Sequence, residues 1–283
     1  DGSAAGLHDA DALGLLRVRR DAPPASWERD YLRRAPTVRG ADGRTHRLAF
    51  TPAELARIWI VYGRALAFAA QIHGELLAGA ACDFELSIDE TPTPTTPAAH
   101  YLIANELRRA GVRLTGLAPR FIGEFQKGID YIGDVPEFAR DCAVHAAIAH
   151  HFGYKLSIHS GSDKFAVFPH IGRETTGHVH VKTAGTSWLE ALRLAALRDA
   201  GLFRDLHAHA RASFPAASRL YHVRLDPAAL PDVSTLPDAE LPAVLDEPGH
   251  RQLLHIAYGA VLGPNGGAPL RYRLMELLAR YEE

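Results

Sequence analysis

Lysine is scarce in this 283-residue chain, whose 31 basic residues comprise 27 arginines and four lysines. The lysines are Lys127, Lys155, Lys164 and Lys182, all in one part of the chain. A lysine ammonium is a compact charge that can be desolvated and can change its pKa, whereas an arginine guanidinium stays charged. Where arginine serves for solubility, a retained lysine therefore indicates a site that needs an ammonium. Chance clustering of four residues is the alternative.

Other features are also missing, and each absence excludes a class of protein. The net charge is −2 and the sequence pI is about 6.8, so duplex nucleic acid is not an expected partner. No apolar run approaches ~18 residues and no signal peptide is visible, so we expect neither a membrane span nor export. Cys82 and Cys142 form no CxxC pair, which predicts reduced thiols in a cytoplasmic protein. The nucleotide motifs GxGxxG and GxxxxGKS/T are absent.

From residue 84 onward, short apolar strands alternate with helical segments. The predicted strands cover 84–89, 112–119, 154–159, 178–183, 220–225 and 252–259. The predicted helices cover 51–77, 97–110, 135–151, 187–211 and 269–282, and the first four begin at the capping residues Thr51, Thr96, Asp134 and Ser187. The alternation predicts a parallel α/β sheet, and six strands without a nucleotide-binding turn favour a TIM-like (β/α) barrel.

The first 83 residues fit this barrel less well. They contain one clear helix, but the two strands that an eight-stranded barrel needs are represented only by the poor candidates 17–20 and 47–50. We therefore predict a (β/α) barrel domain over 51–283, set 1–50 apart, and keep incomplete or irregular N-terminal units as an alternative. Because Met275 is the only methionine, we expect this chain to begin inside a longer gene product.

Polar side chains concentrate where the predicted strands end, which is the edge at which parallel barrels carry their active sites. Strand 84–89 ends in Asp89, and the loop after 112–119 holds Arg120 and Glu124. Glu124 lies in a glycine-flanked loop and is a candidate general acid or base. The alternative is a surface ion pair with Lys127.

His180 and Lys182 alternate along strand 178–183, so both side chains point to one side of it. Burying them against helices would be costly. We therefore interpret this side as the interior or the mouth of the barrel, with a solvent-exposed edge strand as the alternative.

Three histidines lie on separate predicted strands among apolar neighbours: His159, His222 and His255. A divalent metal is commonly held by neutral imidazoles that converge from separate rigid elements. Sequence spacing does not show convergence, so satisfied core histidines are the alternative. His159, directly before a polar glycine-containing loop, is the strongest of the three candidates.

The loop after His159 contains a second candidate site. Its glycine turn and neighbouring amides can receive an anion, with Lys164 and Arg173 as charge partners, and Asp163 lies in the same loop. An ordinary strand-to-helix loop with a helix cap is the alternative.

Five strings of this sequence together resemble the tagaturonate epimerase family. They are FELSIDETPTPTTP (84–97), LAPRFIGEFQKGIDYIGD (117–134), YKLSIHSGSDKF (154–165), HVHVKTAGTSWLEALR (178–193) and RQLLHIAYG (251–259). Members of the family interconvert D-tagaturonate and D-fructuronate, and close relatives act as tagatose (fructose) 4-epimerases. The resemblance covers roughly 84–282, whereas residues 1–50 match poorly and family members are longer on that side.

The resemblance implies a metal-dependent TIM-barrel-like enzyme of hexuronate catabolism, with a divalent cation that could be zinc, manganese, nickel or iron. His159, His222 and His255 become the expected metal ligands, and Glu124, His180 and Lys182 the expected catalytic residues. The polar positions at the strand ends and in the loops, independently of the resemblance, assign substrate binding to Asp89, Arg120, Asp163, Lys164 and Arg173. The expected partner is a small sugar acid or ketohexose, and a homo-oligomer is left open.

Inversion at C4 of a 2-keto sugar restricts the chemistry. The C4 proton is not alpha to the C2 carbonyl, but the C4 hydroxyl is beta to it, so retro-aldol cleavage and re-formation of C3–C4 can invert that carbon. Acid–base chemistry at C4 and a Schiff base on Lys182 remain alternatives. A metal-dependent sugar isomerase or aldolase and a non-catalytic sugar-acid-binding barrel are the alternative functions.

Overall fold

The structure is a computed structural model that describes residues 11–14, 23–183, 185–221, 223–263 and 268–282, without the side chains of Ala25 and Leu220. The chain forms two compact units. Unit 1 comprises Asp1–Glu124, Gly133–His159 and Ala166–Val181. Unit 2 comprises Phe125–Ile132, Ser160–Phe165 and Lys182–Glu283.

A short antiparallel hairpin lies in the N-terminal part of unit 1. Its strands are β1 (Thr37–Arg39) and β2 (Thr45–Arg47). The sequence analysis missed β1 and placed a poor strand at 47–50, two residues too late, because three-residue strands carry little alternation. The other weak strand candidate, 17–20, lies outside the described residues.

Four parallel strands form the main sheet of unit 1, and they follow one another in sequence order. They are β3 (Glu85–Ile88), β4 (Gly116–Pro119), β5 (Lys155–Ile158) and β6 (Val179–Val181). The prediction of a strand in each of these places is confirmed, although every strand is shorter than predicted. All four residues of β4 are buried, as is typical of a parallel strand covered on both faces.

Helices follow the strands of unit 1, and the first three begin where the capping residues predict. They are α1 (Pro52–Ile72), α2 (Pro97–Arg109), α3 (Val135–Phe152) and α4 (Phe168–Thr175). The side chains of Thr51, Thr96 and Asp134 accept hydrogen bonds from the backbone N–H three residues later. Proline also occupies the first position of α1 and α2 and the second position of α3, within the first turn, where no intrahelical hydrogen bond is lost.

One described helix, Pro52–Leu77, is long and apolar enough to cross a membrane by length and composition alone. It consists of α1 and a π-helical continuation. In its most apolar window, 44% of the residues are buried inside the protein, and α1 packs against α2. A buried core helix passes the same test, so a single helix of this kind is weak evidence for a membrane span.

Unit 2 is helical wherever the structure describes regular structure in it. Its helices are α5 (Thr186–Arg198), α6 (Ala200–Ala217), α7 (Pro248–Ile256), α8 (Tyr258–Leu262) and α9 (Ala268–Arg280), joined in part by short 3₁₀ helices. Their apolar faces form one core around buried residues such as Leu192, Phe203 and Leu253.

Four predictions for unit 2 are wrong. The segment 252–259 lies in α7 and α8, because a short apolar run is compatible with a helix as well as a strand and Pro248 starts the helix. No described residue of 220–225 is in a strand. The predicted helix 187–211 is two helices, divided at Asp199, whose side chain accepts from the N–H of Leu202. Ser187 does not cap α5, since the capping position is Gly185.

The α/β class with a parallel sheet is confirmed. The described part of the chain shows four neighbouring parallel strands and not a closed barrel.

Candidate active site

The register of the main sheet places polar side chains on one face of unit 1. Ser157 on β5 pairs with His180 on β6. Side chains alternate along each strand, so His159 lies on the same face as Ser157. Glu85 begins β3 opposite Gly116 of β4, and that register brings its side chain to this face as well.

The lack of a side chain at Gly116 leaves room for the side chain of Glu85 to extend across β4. A Cβ atom at Gly116 would lie 2.9 Å from Glu85 Oε2 and 3.3 Å from its Cγ, closer than side chains normally approach. Because glycine has no side chain there, the carboxylate of Glu85 spans the neighbouring strand and reaches β5 and β6. A carboxylate on β3 thereby contacts side chains on and directly after β5 and on β6.

His159 lies between two carboxylates directly after β5. Its Nδ1 is 3.0 Å from Asp89 Oδ2, and its Nε2 is 2.8 Å from Glu85 Oε1. Only 8% of the side chain is exposed. The predicted site residues His159 and Asp89 are therefore together, and Glu85 joins them.

His180 shares the other oxygen of the same carboxylate. Its Nδ1 is 2.7 Å from Glu85 Oε2 and 2.9 Å from Ser157 Oγ. The side chain is about half exposed, at 49%. We name this group, consisting of Glu85, Asp89, Ser157, His159 and His180, the carboxylate–histidine cluster.

The cluster favours the ionised form of its central carboxylate. Burial raises the pKa of Glu85, but hydrogen bonds from His159, His180 and Ser157 outweigh it and hold the pKa below the ordinary value of 4.5. Glu85 therefore stays charged near neutral pH and can accept hydrogen bonds from both imidazoles.

The donor chemistry of the cluster fits a divalent cation. A neutral imidazole has one N–H, yet both nitrogens of His159 face carboxylate oxygens. One contact therefore needs a second ring proton, a protonated carboxyl group or a cation, and imidazoles with carboxylates are donors that suit first-row metals. Among the described residues, no group of three or more His, Cys, Asp or Glu side chains is arranged as a metal site, and the cluster distances are those of hydrogen bonds.

Three more predicted site residues lie in unit 1. Glu124 is half-buried in the segment after β4. Arg120 pairs through its backbone with Thr95, since its N–H donates to Thr95 Oγ1 and its carbonyl accepts from the Thr95 N–H. Arg173, on α4, is exposed and bonds Glu174.

The remaining predicted residues lie in unit 2 or outside the description. Lys182 is exposed directly after β6, and Asp163 Oδ1 accepts from Arg251 at 2.9 Å. Lys164 is fully buried. His255 is buried on helix α7, not on a strand. Its side chain packs against Gly128 and Gly185, and a Cβ at either glycine would come within 3.0 Å of a side-chain atom of His255. His222 lies outside the described residues.

Sequence reasoning missed Glu85 and Ser157. Glu85, Ser87 and Asp89 recur with period two, which places them on one side of β3. That signal was available, but the contacts of Glu85 depend on the sheet register and on Gly116, neither of which local sequence reveals.

Comparisons with known proteins show which family the chain is similar to. A family model described as tagaturonate epimerase (UxaE) matches residues 24–283 and so also takes in most of the segment 1–50 that the sequence analysis set apart. The tagaturonate/fructuronate epimerase of Thermotoga maritima is 46% identical over 202 residues, which are 71% of this chain and 41% of that protein.

Solved structures extend the likeness over the whole chain. Crystal structures of the fructuronate-tagaturonate epimerase UxaE from Cohnella laeviribosi, native and with one glycerol, match with TM-scores of 0.90 and 0.89 at 43% identity. Each match covers 100% of this chain and 58% of the other, so the chain spans well under two thirds of its relatives' length. The family model alone matches most of the sequence, and the chain therefore belongs to the tagaturonate epimerase family.

Proposed function

We propose that this protein is a C4 epimerase that interconverts D-tagaturonate and D-fructuronate, and that the carboxylate–histidine cluster carries the chemistry. The observation that supports this most directly is His159 held between Asp89 and Glu85 while Glu85 also holds His180. Acid–base groups in this number, on one face of a parallel sheet, suit a reaction that moves a proton off a hydroxyl and returns it. The printed names of the relatives support the same substrates.

Retro-aldol chemistry makes specific demands on the residues. A base removes the C4 hydroxyl proton while C3–C4 breaks, and the same proton returns after the aldehyde presents its other face. His180 is suited to this role, since its ring is half exposed and Glu85 together with Ser157 fixes one of its nitrogens. Glu124 is the second candidate.

Charge on the substrate needs partners too. In this proposal, Lys182 stabilises negative charge that develops during cleavage, and Arg120 with Arg173 holds the carboxylate of the sugar acid. Lys164 is no longer assigned to binding of the substrate carboxylate, because its ammonium is buried and donates to three backbone carbonyls.

The divalent cation implied by the family is also part of the proposal. Glu85 and His159 would hold it, with Asp89 orienting the His159 ring. When bound, such a cation supplies Lewis acidity at the ketone end of the substrate. Of the three ligands expected from the sequence, His159 keeps this role, whereas His255 sits on a helix of unit 2.

We also propose that the four parallel strands form an arc of a TIM-like barrel, since sequence-ordered parallel strands joined by helices are its building principle.

Cytoplasmic location belongs to the proposal as well. The two cysteines are free thiols, and burial raises the pKa of Cys142 far above its usual range, so this thiol is inert.

The decisive experiment follows D-fructuronate with the purified protein by ¹H NMR, before and after exhaustive chelation. We expect the C4 epimer to form, and His159→Ala to lower turnover by about 10²–10⁴-fold because an acid–base or ligand group is lost. His150→Ala, an exposed histidine on α3, is the matched control and should leave turnover unchanged. Glu124→Gln tests the second candidate base in the same assay.

Four outcomes would overturn parts of this proposal. Full activity after chelation would remove the metal, and a borohydride-trapped adduct on Lys182 would replace it with Schiff-base chemistry. A product that differs at C2 or in carbon number would make the protein an isomerase or an aldolase. Binding without any turnover would make it a sugar-acid-binding protein.

A further inference from the structure

We propose that Lys164 is a positioning residue whose ammonium serves as a built-in cation for unit 2, where it fixes two loops through their main-chain carbonyls and contacts no substrate. The loops are Phe125–Ile132 and Ser160–Phe165, named here loop A and loop B. The architectural part of this inference is independent of the proposed function. The part that concerns turnover rests on it.

The contacts of Lys164 use every proton of its ammonium. The side chain has no exposed surface. Nζ donates to the carbonyl oxygens of Gln126 at 2.8 Å, Ile129 at 2.5 Å and Ser162 at 2.8 Å. An ammonium has three N–H donors, so none remains for the carboxylate of a substrate. Two acceptors belong to loop A and one to loop B, and the side chain therefore ties the loops together.

Loop A depends on such contacts because it forms no regular ladder of its own in the described structure. Four successive carbonyls of loop A accept hydrogen bonds from side chains of unit 2. Gln126 and Ile129 accept from Lys164, Lys127 accepts from Gln252 at 3.2 Å, and Gly128 accepts from Arg251 Nε at 3.1 Å. Buried carbonyls need partners, and here side chains supply the partners that a sheet or helix would otherwise provide.

Loop B carries backbone strain that these contacts offset. Ser160 and Asp163 have φ of 51° and 59°, a left-handed conformation that non-glycine residues seldom adopt. Such conformations persist only where surrounding contacts determine them. Lys164 supplies one contact, and the ion pair of Asp163 with Arg251 supplies another.

The electrostatics explain why lysine occupies this position. Burial lowers the pKa of Lys164 to about 8, while the carboxylates of Asp163 and Asp130 favour its charge and Lys127 opposes it. The group is thus an ammonium at neutral pH. An arginine would bring a planar fork of five donors to three converging carbonyls, which is the wrong shape and number.

Selective chemical modification tests the burial directly on the unaltered protein, and four lysines make it easy to interpret. Reductive methylation of the native protein, followed by mass spectrometry, should label exposed Lys155 and Lys182 and leave Lys164 slower by about 10²-fold, since its amine must first be uncovered. Labelling of Lys164 at the rate of Lys155 would overturn the proposal.

Hydrogen exchange tests the positioning role. Lys164→Met keeps most of the volume and removes the donors, so amides of loops A and B should exchange about 10–100-fold faster. Lys155→Met is the matched control and should leave both loops unchanged. In Lys164→Ala, about 0.1 M methylammonium should restore protection by filling the vacated cation position, whereas tetramethylammonium should not.

Turnover then separates positioning from substrate contact. The proposal predicts that methylammonium restores turnover in Lys164→Ala in parallel with loop protection. Lost turnover with unchanged exchange in Lys164→Met would mean direct substrate contact and would overturn the proposal. If the protein proves not to be an epimerase, hydrogen exchange and reductive methylation still test whether Lys164 is buried and fixes loops A and B. If neither Lys164 variant folds, methylation of the unaltered protein provides the test.

Discussion

Unit 1 and unit 2 use charged side chains in opposite ways. In unit 1, the carboxylate–histidine cluster joins side chain to side chain, and His180 is half exposed. In unit 2, Lys164 and Arg251 join side chain to main chain and are buried or nearly so. Groups that exchange protons with a substrate need an accessible face, whereas groups that set the shape of a loop need only its carbonyls.

This difference gives a way to distinguish residues that would carry the proposed reaction from residues that stabilise the fold. Substitution in the cluster should reduce turnover at nearly constant stability. Substitution among the unit 2 contacts should reduce stability or loop protection first, with turnover following as a consequence.

Among substitutions that keep the size of the side chain, the largest effect on turnover is expected for Glu85→Gln. The amide keeps the size of the side chain but loses the charge that holds both histidines, so turnover should fall by about 10²-fold or more. Thermal stability should change little because the group is partly exposed. Steady-state kinetics and calorimetry check this, with exposed Glu90→Gln as the control. Wild-type turnover in Glu85→Gln would place the chemistry elsewhere.

Acid should destabilise unit 2 through a buried histidine pair. His207 Nε2 lies 2.9 Å from His250 Nδ1, and burial together with that neighbour lowers the pKa of His207 from 6.5 to about 4. Since the folded pKa lies below the unfolded one, the stabilisation is complete above pH 6.5 and is lost as pH falls towards 4, by up to about 3 kcal/mol.

Urea unfolding between pH 7.5 and 4 measures this loss. His207→Gln should flatten the dependence, whereas His178→Gln, at an exposed position in unit 1, should leave it in place. A His207→Gln variant with an unchanged pH profile would contradict the assignment.

A smaller loss of turnover is expected for Gly116→Ala. The added methyl group would meet the carboxylate of Glu85 at 2.9 Å and push it away from the histidines, so turnover should fall about tenfold. Gly172→Ala is the control, because nothing lies within 4 Å of the new methyl group on α4. Equal activity in the two variants would show that the position of the Glu85 carboxylate does not depend on the absence of a side chain at residue 116.

The smallest effect is expected at a helix cap. Asp134→Ala removes the 2.6 Å bond from the N–H of Glu137 and should cost about 1 kcal/mol of unfolding free energy without changing KM. Chemical denaturation and steady-state kinetics measure the two quantities. A change in turnover larger than the change in stability would connect α3 to the chemistry.

Local chemistry was readable from the sequence. The caps at Thr51, Thr96 and Asp134 and the four strands of unit 1 follow from short-range rules that hold without tertiary context. The run around His255 misled the prediction, because apolar neighbours on both sides suit a buried strand and a buried helix equally well.

Long-range contacts were not readable in the same way. The sequence pointed to His159, His180 and Asp89, but Glu85 joins them only through sheet register and a glycine on a different strand. The scarcity of lysine correctly indicated a site that uses an ammonium at Lys164, which is buried. Lys155 and Lys182 are exposed, and for them it gave no structural information.

A crystal structure with D-fructuronate bound, recorded with anomalous scattering, tests the central claim most directly. The account predicts the sugar acid at the carboxylate–histidine cluster, with its C4 hydroxyl about 2.6–3.2 Å from His180 or Glu124 and any anomalous peak beside Glu85 and His159. A substrate bound away from Glu85, His159 and His180 in a crystal that still turns over would contradict it.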